Sequence, residues 1–134
     1  INPSVVTDWF REVQEQMDIY IPWIGYDAWS AQMWVDQMSD FFGRDSMIAV
    51  HQGKRTLSAP MKSLGADLSG KLVVYNNNPV DKWCLANTSY EEDKNGNIQP
   101  CKTSKPTRRI DGTAALLDAY VVLQDKNADY TSMI

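Results

Sequence analysis

Apolar residues recur along the chain at two periods, and the change from one to the other divides it into elements. Val6, Phe10, Val13 and Met17 are spaced as one helical stripe, flanked by Arg11, Glu12 and Glu15. Asn2 and Pro3 supply a start signal, a capping side chain followed by a ring suited to the first turn. An amphipathic helix is therefore predicted to about Asp18. Ile19 to Tyr26 is nearly all apolar and reads as a buried strand, although Pro22 cannot donate to a central ladder. Asp27 comes directly after it. Trp29, Met33, Trp34, Val35, Met38, Phe41 and Phe42 form a second, strongly apolar helix closed by Gly43, and Ser46 to His51 a second short strand. Helix, strand, helix, strand in this rhythm implies a parallel α/β layer with right-handed crossovers.

The second half is less regular. After a turn at Gln52 to Arg55, Leu57, Met61, Leu64 and Leu68 predict a helix over 57–68. Thr56 or Ser58 would cap it and Gly70 would end it, with Gly65 as a weak point inside. Leu72 to Tyr75 reads as a third strand. Asn76-Asn77-Asn78-Pro79 opens a short helix to about Asn87, with Val80, Trp83 and Cys84 facing inward. Asp93-Lys94-Asn95-Gly96-Asn97, between Tyr90 and Ile98, signals a hairpin within Ser89 to Lys102. Ser104 to Arg109 is a basic linker. Ile110, Ala114, Leu117 and Val121 then mark a last helix, and Ala128 to Ile134 reads as a frayed, flexible tail. Residues 1–134 are thus expected to form a single domain, with no internal repeat.

Composition narrows the function. The chain has 134 residues, 43% of them hydrophobic, enough for one domain with a core. Five Trp and six Tyr argue against disorder. A net charge of −4 argues against coating nucleic acid by bulk charge, yet a nuclease stays open because metal ions offset acidic groups near phosphate. No apolar run approaches a membrane span, so no membrane partner is expected, and nothing reads as a secretory leader. Cys84 and Cys101 fit no disulfide framework and read as the reduced thiols of a cytosolic protein. The chain opens without Met, at Ile1-Asn2-Pro3, which suggests a piece of a longer polypeptide.

The candidate chemistry lies in aspartates. Asp27 follows a parallel strand, and open α/β sheets bind ligands outside the carboxyl ends of their strands. Its bland use would be to cap the next helix. Asp111 and Asp118 lie seven apart, two turns of one helical face. Asp111 suits the first turn, where the helix dipole favours a carboxylate, but Asp118 sits among Leu117, Ala119 and Tyr120, where an unpaired charge is costly. Together the three would suit a hard cation, Mg²⁺ or Mn²⁺. Lys102, Lys105, Arg108 and Arg109 could hold a phosphate backbone. The single histidine, His51, supports no hydrolytic triad, and there is no nucleophile elbow, phosphate-binding glycine loop or zinc pattern.

One resemblance organises these pieces. The stretches Ile24-Gly25-Tyr26-Asp27-Ala28-Trp29, Gln52-Gly53 with Leu57-Ser58-Ala59-Pro60-Met61-Lys62, and Gly70-Lys71-Leu72 occur in that order. Asn77-Asn78-Pro79-Val80-Asp81-Lys82-Trp83, Asp93-Lys94-Asn95-Gly96-Asn97 with Pro100 and Lys102, and Arg109-Ile110-Asp111-Gly112-Thr113-Ala114-Ala115-Leu116-Leu117 continue it. The ordered set, spanning nearly the whole chain, resembles the C-terminal nuclease domain of the large terminase subunit of tailed bacteriophages. The resemblance implies an α/β, ribonuclease H-like nuclease domain with a short mixed or parallel sheet flanked by helices. It implies a two-metal-ion endonuclease, with Mg²⁺ or Mn²⁺, that cuts concatemeric double-stranded DNA. The implied partners are that DNA, the portal and the small terminase subunit, and the implied place is the host cytoplasm, transiently at the procapsid portal. Asp27 matches the family's second metal carboxylate and Asp111 the one on the last helix; at the position of Asp118 the family often has an apolar residue. The family's first metal carboxylate lies on a strand upstream of the first helix here. This piece is therefore expected to lack that ligand and the first strands, to self-associate through an open sheet edge, and alone to have little or no nuclease activity in Mg²⁺, with at most weak nicking in Mn²⁺. Two other readings stand beside it: a non-catalytic docking piece, and another ribonuclease H-like enzyme, such as a resolvase or integrase, which would place glutamate where Asp111 stands.

Overall fold

The start signal at Asn2 works as read. Its Oδ1 accepts the Ser4 N–H at 3.0 Å, and helix α1 runs Pro3–Gln16. In the computed structural model, which describes residues 2–29, 32–103, 105 and 107–134, strand β1 (Ile24–Asp27) follows, then α2 (Gln32–Phe42), a 3-10 turn at Arg44–Ser46 and strand β2 (Met47–Val50). β1 and β2 are parallel neighbours, in register from Ile24↔Met47 to Asp27↔Val50. The predicted parallel unit with a helical crossover is thus present.

Two packed faces explain it. On one, Ile24, Met38 and Met47 are buried against Phe10, Tyr26, Trp34 and Phe42 from α1, α2 and the strand. On the other, Val50 packs with Leu57 and Leu64 of α3 (Lys54–Ser69) and with Leu117 and Val122 of α5 (Asp111–Met133). A parallel pair covered on both faces is the arrangement that near-continuous apolar strands demand. Between α3 and α5 come α4 (Pro79–Asn87) and an antiparallel hairpin of β3 (Thr88–Glu92) and β4 (Ile98–Lys102), a separate two-stranded sheet. Asp93 Oδ1 accepts the N–H groups of Asn95 and Asn97 at 2.8 and 3.0 Å, which shapes the hairpin turn and holds the Asp93 carboxyl below the usual carboxylate range.

Several expectations are corrected. The strand predicted over 19–26 is confined to Ile24–Asp27. Asp18 turns the chain with φ 54°, Pro22 brings no N–H, and Ile19 and Tyr20 are exposed. Trp29 lies in a turn rather than in a helix, and it is 87% exposed. Ser30 and Ala31, read as part of that helix, lie outside the described residues, as do Ser104 and Pro106 of the basic linker. α3 begins three residues early, behind Gly53 at φ 118°, so neither Thr56 nor Ser58 caps it. Ser58 Oγ instead accepts the Ile98 N–H at 3.1 Å and ties the hairpin to α3.

Leu72 to Tyr75 forms no strand. Left-handed residues bend the chain on both sides of it, at Lys71, Asn76 and Asn77, and the Leu72 N–H closes α3 by donating to Asp67 O at 2.8 Å. Leu72 and Val74 are 74% and 86% exposed. In α4 the Asn78 side chain caps Val80 and Asp81 as expected, but Val80 and Trp83 are exposed and the buried face is Cys84 and Asn87. Residues 128–133, read as a tail, are helical. Among the described residues no helix is long and apolar enough to cross a membrane.

Candidate active site

β1 and β2 end side by side, at Asp27 and Val50, and the Ala28 N–H donates to Val50 O at 3.0 Å. Asp27 is the last residue of β1 rather than the residue after it. The residue is half-buried, and its Oδ1 accepts the Trp29 N–H at 2.9 Å, a local turn bond that leaves the other oxygen to outside partners.

α5 lies directly on β1, and one residue permits this. A Cβ built on Gly25 would meet the Asp118 carbonyl oxygen at 2.7 Å and Val122 Cγ2 at 2.8 Å. Without a side chain at 25 the helix backbone touches the strand, and Asp118 reaches the strand ends. Asp118 is 7% exposed, and its Oδ1 accepts from Gln52 Nε2 at 3.2 Å. Burial, and then the negative charge of Asp27, push the Asp118 carboxyl above the ordinary carboxylate range, while the Gln52 bond pulls the other way. Two like charges are thus held near each other at the carboxyl end of a parallel sheet.

Asp111 lies nearer the start of α5 than Asp118. It is exposed in the first turn of α5, two turns or about 10 Å along the axis from Asp118. Its neighbour Gly112 packs on α4, where an added Cβ would meet Cys84 Sγ at 3.2 Å and Asp81 Oδ1 at 3.5 Å. The charge of Asp27 thus acts on Asp118, and Asp111 lies two turns nearer the start of the same helix. Among the described residues no group of three or more His, Cys, Asp or Glu is gathered to hold a metal. Lys102 ends β4, and Lys105, Arg108 and Arg109 are exposed in the connection to α5. Buried Asn87 pins that connection by accepting the Thr103 N–H at 2.9 Å and donating to Arg109 O at 3.1 Å. His51 is exposed beside the pair's strand ends.

Sequence reasoning missed two residues. Gln52 was read as the start of a turn and as part of the Gln52-Gly53 match, with no role beside the aspartates. Gly25 carried a usable signal, since an isolated glycine within a strand pattern marks a close backbone approach.

The Asp118 environment makes a prediction. Its raised carboxyl means that the folded chain disfavours the ionised form, so the penalty is full at neutral pH and vanishes below the ordinary value of 3.8, where both states are protonated. Asp118→Asn keeps an oxygen to accept from Gln52 and carries no charge. It should raise the melting temperature of the metal-free chain by a few degrees at pH 7, and that gain should shrink as pH falls toward 4. Thermal melts of both proteins across this range check it; a variant less stable than the parent at pH 7 refutes it.

The family model of the terminase large subunit, endonuclease domain, matches residues 13–126. The chain belongs to this family. The match runs from the end of α1 deep into α5 and so includes both β1 and β2 and all three aspartates. The crystal structure of the HK97 bacteriophage large terminase is similar in fold, with a TM-score of 0.75 over 91% of this chain and 20% sequence identity. The chain spans 25% of the length of that terminase. No curated protein sequence matches it. As in the sequence reading, this terminase endonuclease domain is α/β, with short sheets flanked by helices.

Proposed function

We propose that this terminase endonuclease domain cleaves concatemeric double-stranded DNA by divalent-metal-dependent hydrolysis of the phosphodiester bond, on a ribonuclease H-like frame. The observation that carries the reading is the Asp27–Asp118 pair. A buried carboxylate facing a second carboxylate is unfavourable by itself. A cation between them would turn that repulsion into attraction. The donors are carboxylate oxygens, which suits Mg²⁺ or Mn²⁺ and not a soft metal. Asp27 and Asp118 would hold the ion. Asp111, which the resemblance marks for a metal, enters as the carboxylate on the side of the basic connection. The bound metal, two ions in the family's scheme, supplies an activated water and a counter-charge for the phosphate oxygens.

The chain's own residues do the rest. Trp29's N–H fixes one oxygen of Asp27. Lys102, Lys105, Arg108 and Arg109 are proposed to track the DNA backbone toward the N-terminal turn of α5. In the intact large subunit this activity belongs at the procapsid portal in the host cytoplasm, with the portal and the small terminase subunit as partners.

The basic residues give a separate expectation. Each phosphate contact removed lowers the slope of log affinity against log salt by about 1. Lys105→Ala with Arg108→Ala should weaken duplex binding similarly for all sequences and flatten that slope by roughly 2. Fluorescence anisotropy of a labelled duplex across a salt series measures this. An unchanged slope removes these residues from the DNA path. The activity itself is tested by metal-dependent plasmid relaxation with the aspartate variants discussed below.

A further inference from the structure

The carbonyl oxygen of Val50, at the end of β2, receives two donors. One is the N–H of Ala28, the residue after Asp27, at 3.0 Å; the other is Gln52 Nε2 at 3.3 Å. The same nitrogen donates to Asp118 Oδ1 at 3.2 Å. One amide nitrogen and one carbonyl therefore connect the two segments that bear the aspartates. Gln52 and Asp118 are 66 residues apart in sequence. Gln52 is an exposed residue. An exposed glutamine loses rotamer freedom when it folds back to two fixed acceptors, so the contact is not the default of a surface side chain.

We propose that Gln52 is the positioning residue of the carboxylate pair: it locks Asp118 to the end of β2 so that its free oxygen and Asp27 face the same cation. This rests on the reading of Asp27 and Asp118 as metal-holding groups. The residue type suits the task. A primary amide offers two N–H donors and no charge. A lysine or arginine at 52 could also hold Asp118, but it would neutralise the carboxylate and compete with the ion. A glutamate would add a third negative charge and no donor. The amide orients the anion and leaves its charge for the metal. Outer hydrogen bonds of this kind set the geometry of ligating carboxylates, and their loss typically lowers metal affinity ten- to a hundredfold.

The test is Mn²⁺ binding to the chain, followed by the electron paramagnetic resonance signal of free Mn²⁺, with thermal melts of each metal-free protein alongside. The proteins are the parent, Gln52→Met, Gln52→Ala, Asp27→Asn and Asp118→Asn. Met keeps the length and bulk of Gln and removes the donor; Ala serves should the Met variant misfold. The expected result is loss of binding in both aspartate variants and affinity weakened about tenfold in the Gln52 variants, with melting temperatures near the parent's. Affinity lost only in step with melting temperature would mean a merely structural role and would overturn the proposal. Parent-like affinity in the Gln52 variants, with binding lost in the aspartate variants, overturns the role of Gln52 alone. Binding that survives both aspartate substitutions, or no binding by the parent, overturns the metal reading and this inference with it.

Discussion

In the intact large subunit, Asp27→Asn and Asp118→Asn should each lower Mg²⁺- or Mn²⁺-dependent plasmid relaxation by about 100-fold or more. Asparagine keeps the shape of each side chain and removes the charge. A divalent ion contributes several kcal/mol of charge stabilisation, and each 1.4 kcal/mol is a factor of ten in rate, so losing one of two carboxylates reaches that range. The circular dichroism spectra should not change. For Asp118→Asn the loss of activity should accompany a gain in stability, because burial and Asp27 already disfavour its charge. A function-losing, stability-gaining substitution is what a site strained for its ligand predicts. Asp111→Asn ranks the two α5 carboxylates. If Asp118 serves the ion, Asp111→Asn costs clearly less than Asp118→Asn. The reverse ranking would return the metal role to Asp111, the position the family resemblance marks. Robust metal-dependent cutting by the Asp27→Asn, Asp118→Asn double variant would place the chemistry elsewhere.

Gly25→Ala should destabilise the domain by about 3 kcal/mol, lowering its melting temperature by on the order of 10 °C. The added methyl would stand 2.7 Å from a backbone carbonyl oxygen of α5, at Asp118, and 2.8 Å from Val122 Cγ2. No side-chain rotation relieves the first contact, so the helix must move off the strand. That movement also carries Asp118 away from Asp27, and Mn²⁺ affinity should fall with stability. Gly65 is the internal comparison. It lies within α3 with nothing inside 4 Å of an added Cβ, so Gly65→Ala should stabilise by roughly 0.5–1 kcal/mol. Chemical denaturation of the two variants gives both signs in one experiment. A neutral Gly25→Ala would mean that α5 is not seated on β1 through position 25.

What the sequence by itself determined is local. The Asn2 and Asn78 caps, the Asp93 turn and the leucine spacing of α3 rest on interactions within a few residues, and these are written in the order of side chains. The parallel β1–β2 unit was also legible, because an apolar helix between two short apolar runs leaves few ways to bury all three. Asp27 at a strand end and Asp118 as a costly charge could be named for the same reason: position within one element sets both. Tertiary structure decided what each element faces. Residues 72–75 have strand-like side chains, yet left-handed turns at Lys71, Asn76 and Asn77 keep them from any pairing partner. The buried side of α5 passes through Thr113, Leu117, Asp118 and Val122, a wider face than the stripe of Ile110, Ala114, Leu117 and Val121 and one that takes in Asp118. The backbone contact at Gly25 seats α5 with Asp118 on the buried side, by Gln52 and under the charge of Asp27, while Asp111 stays exposed two turns along the helix. Helical periodicity marks a stripe, but the angle at which the helix rolls onto its neighbour is fixed by packing between residues far apart in the chain.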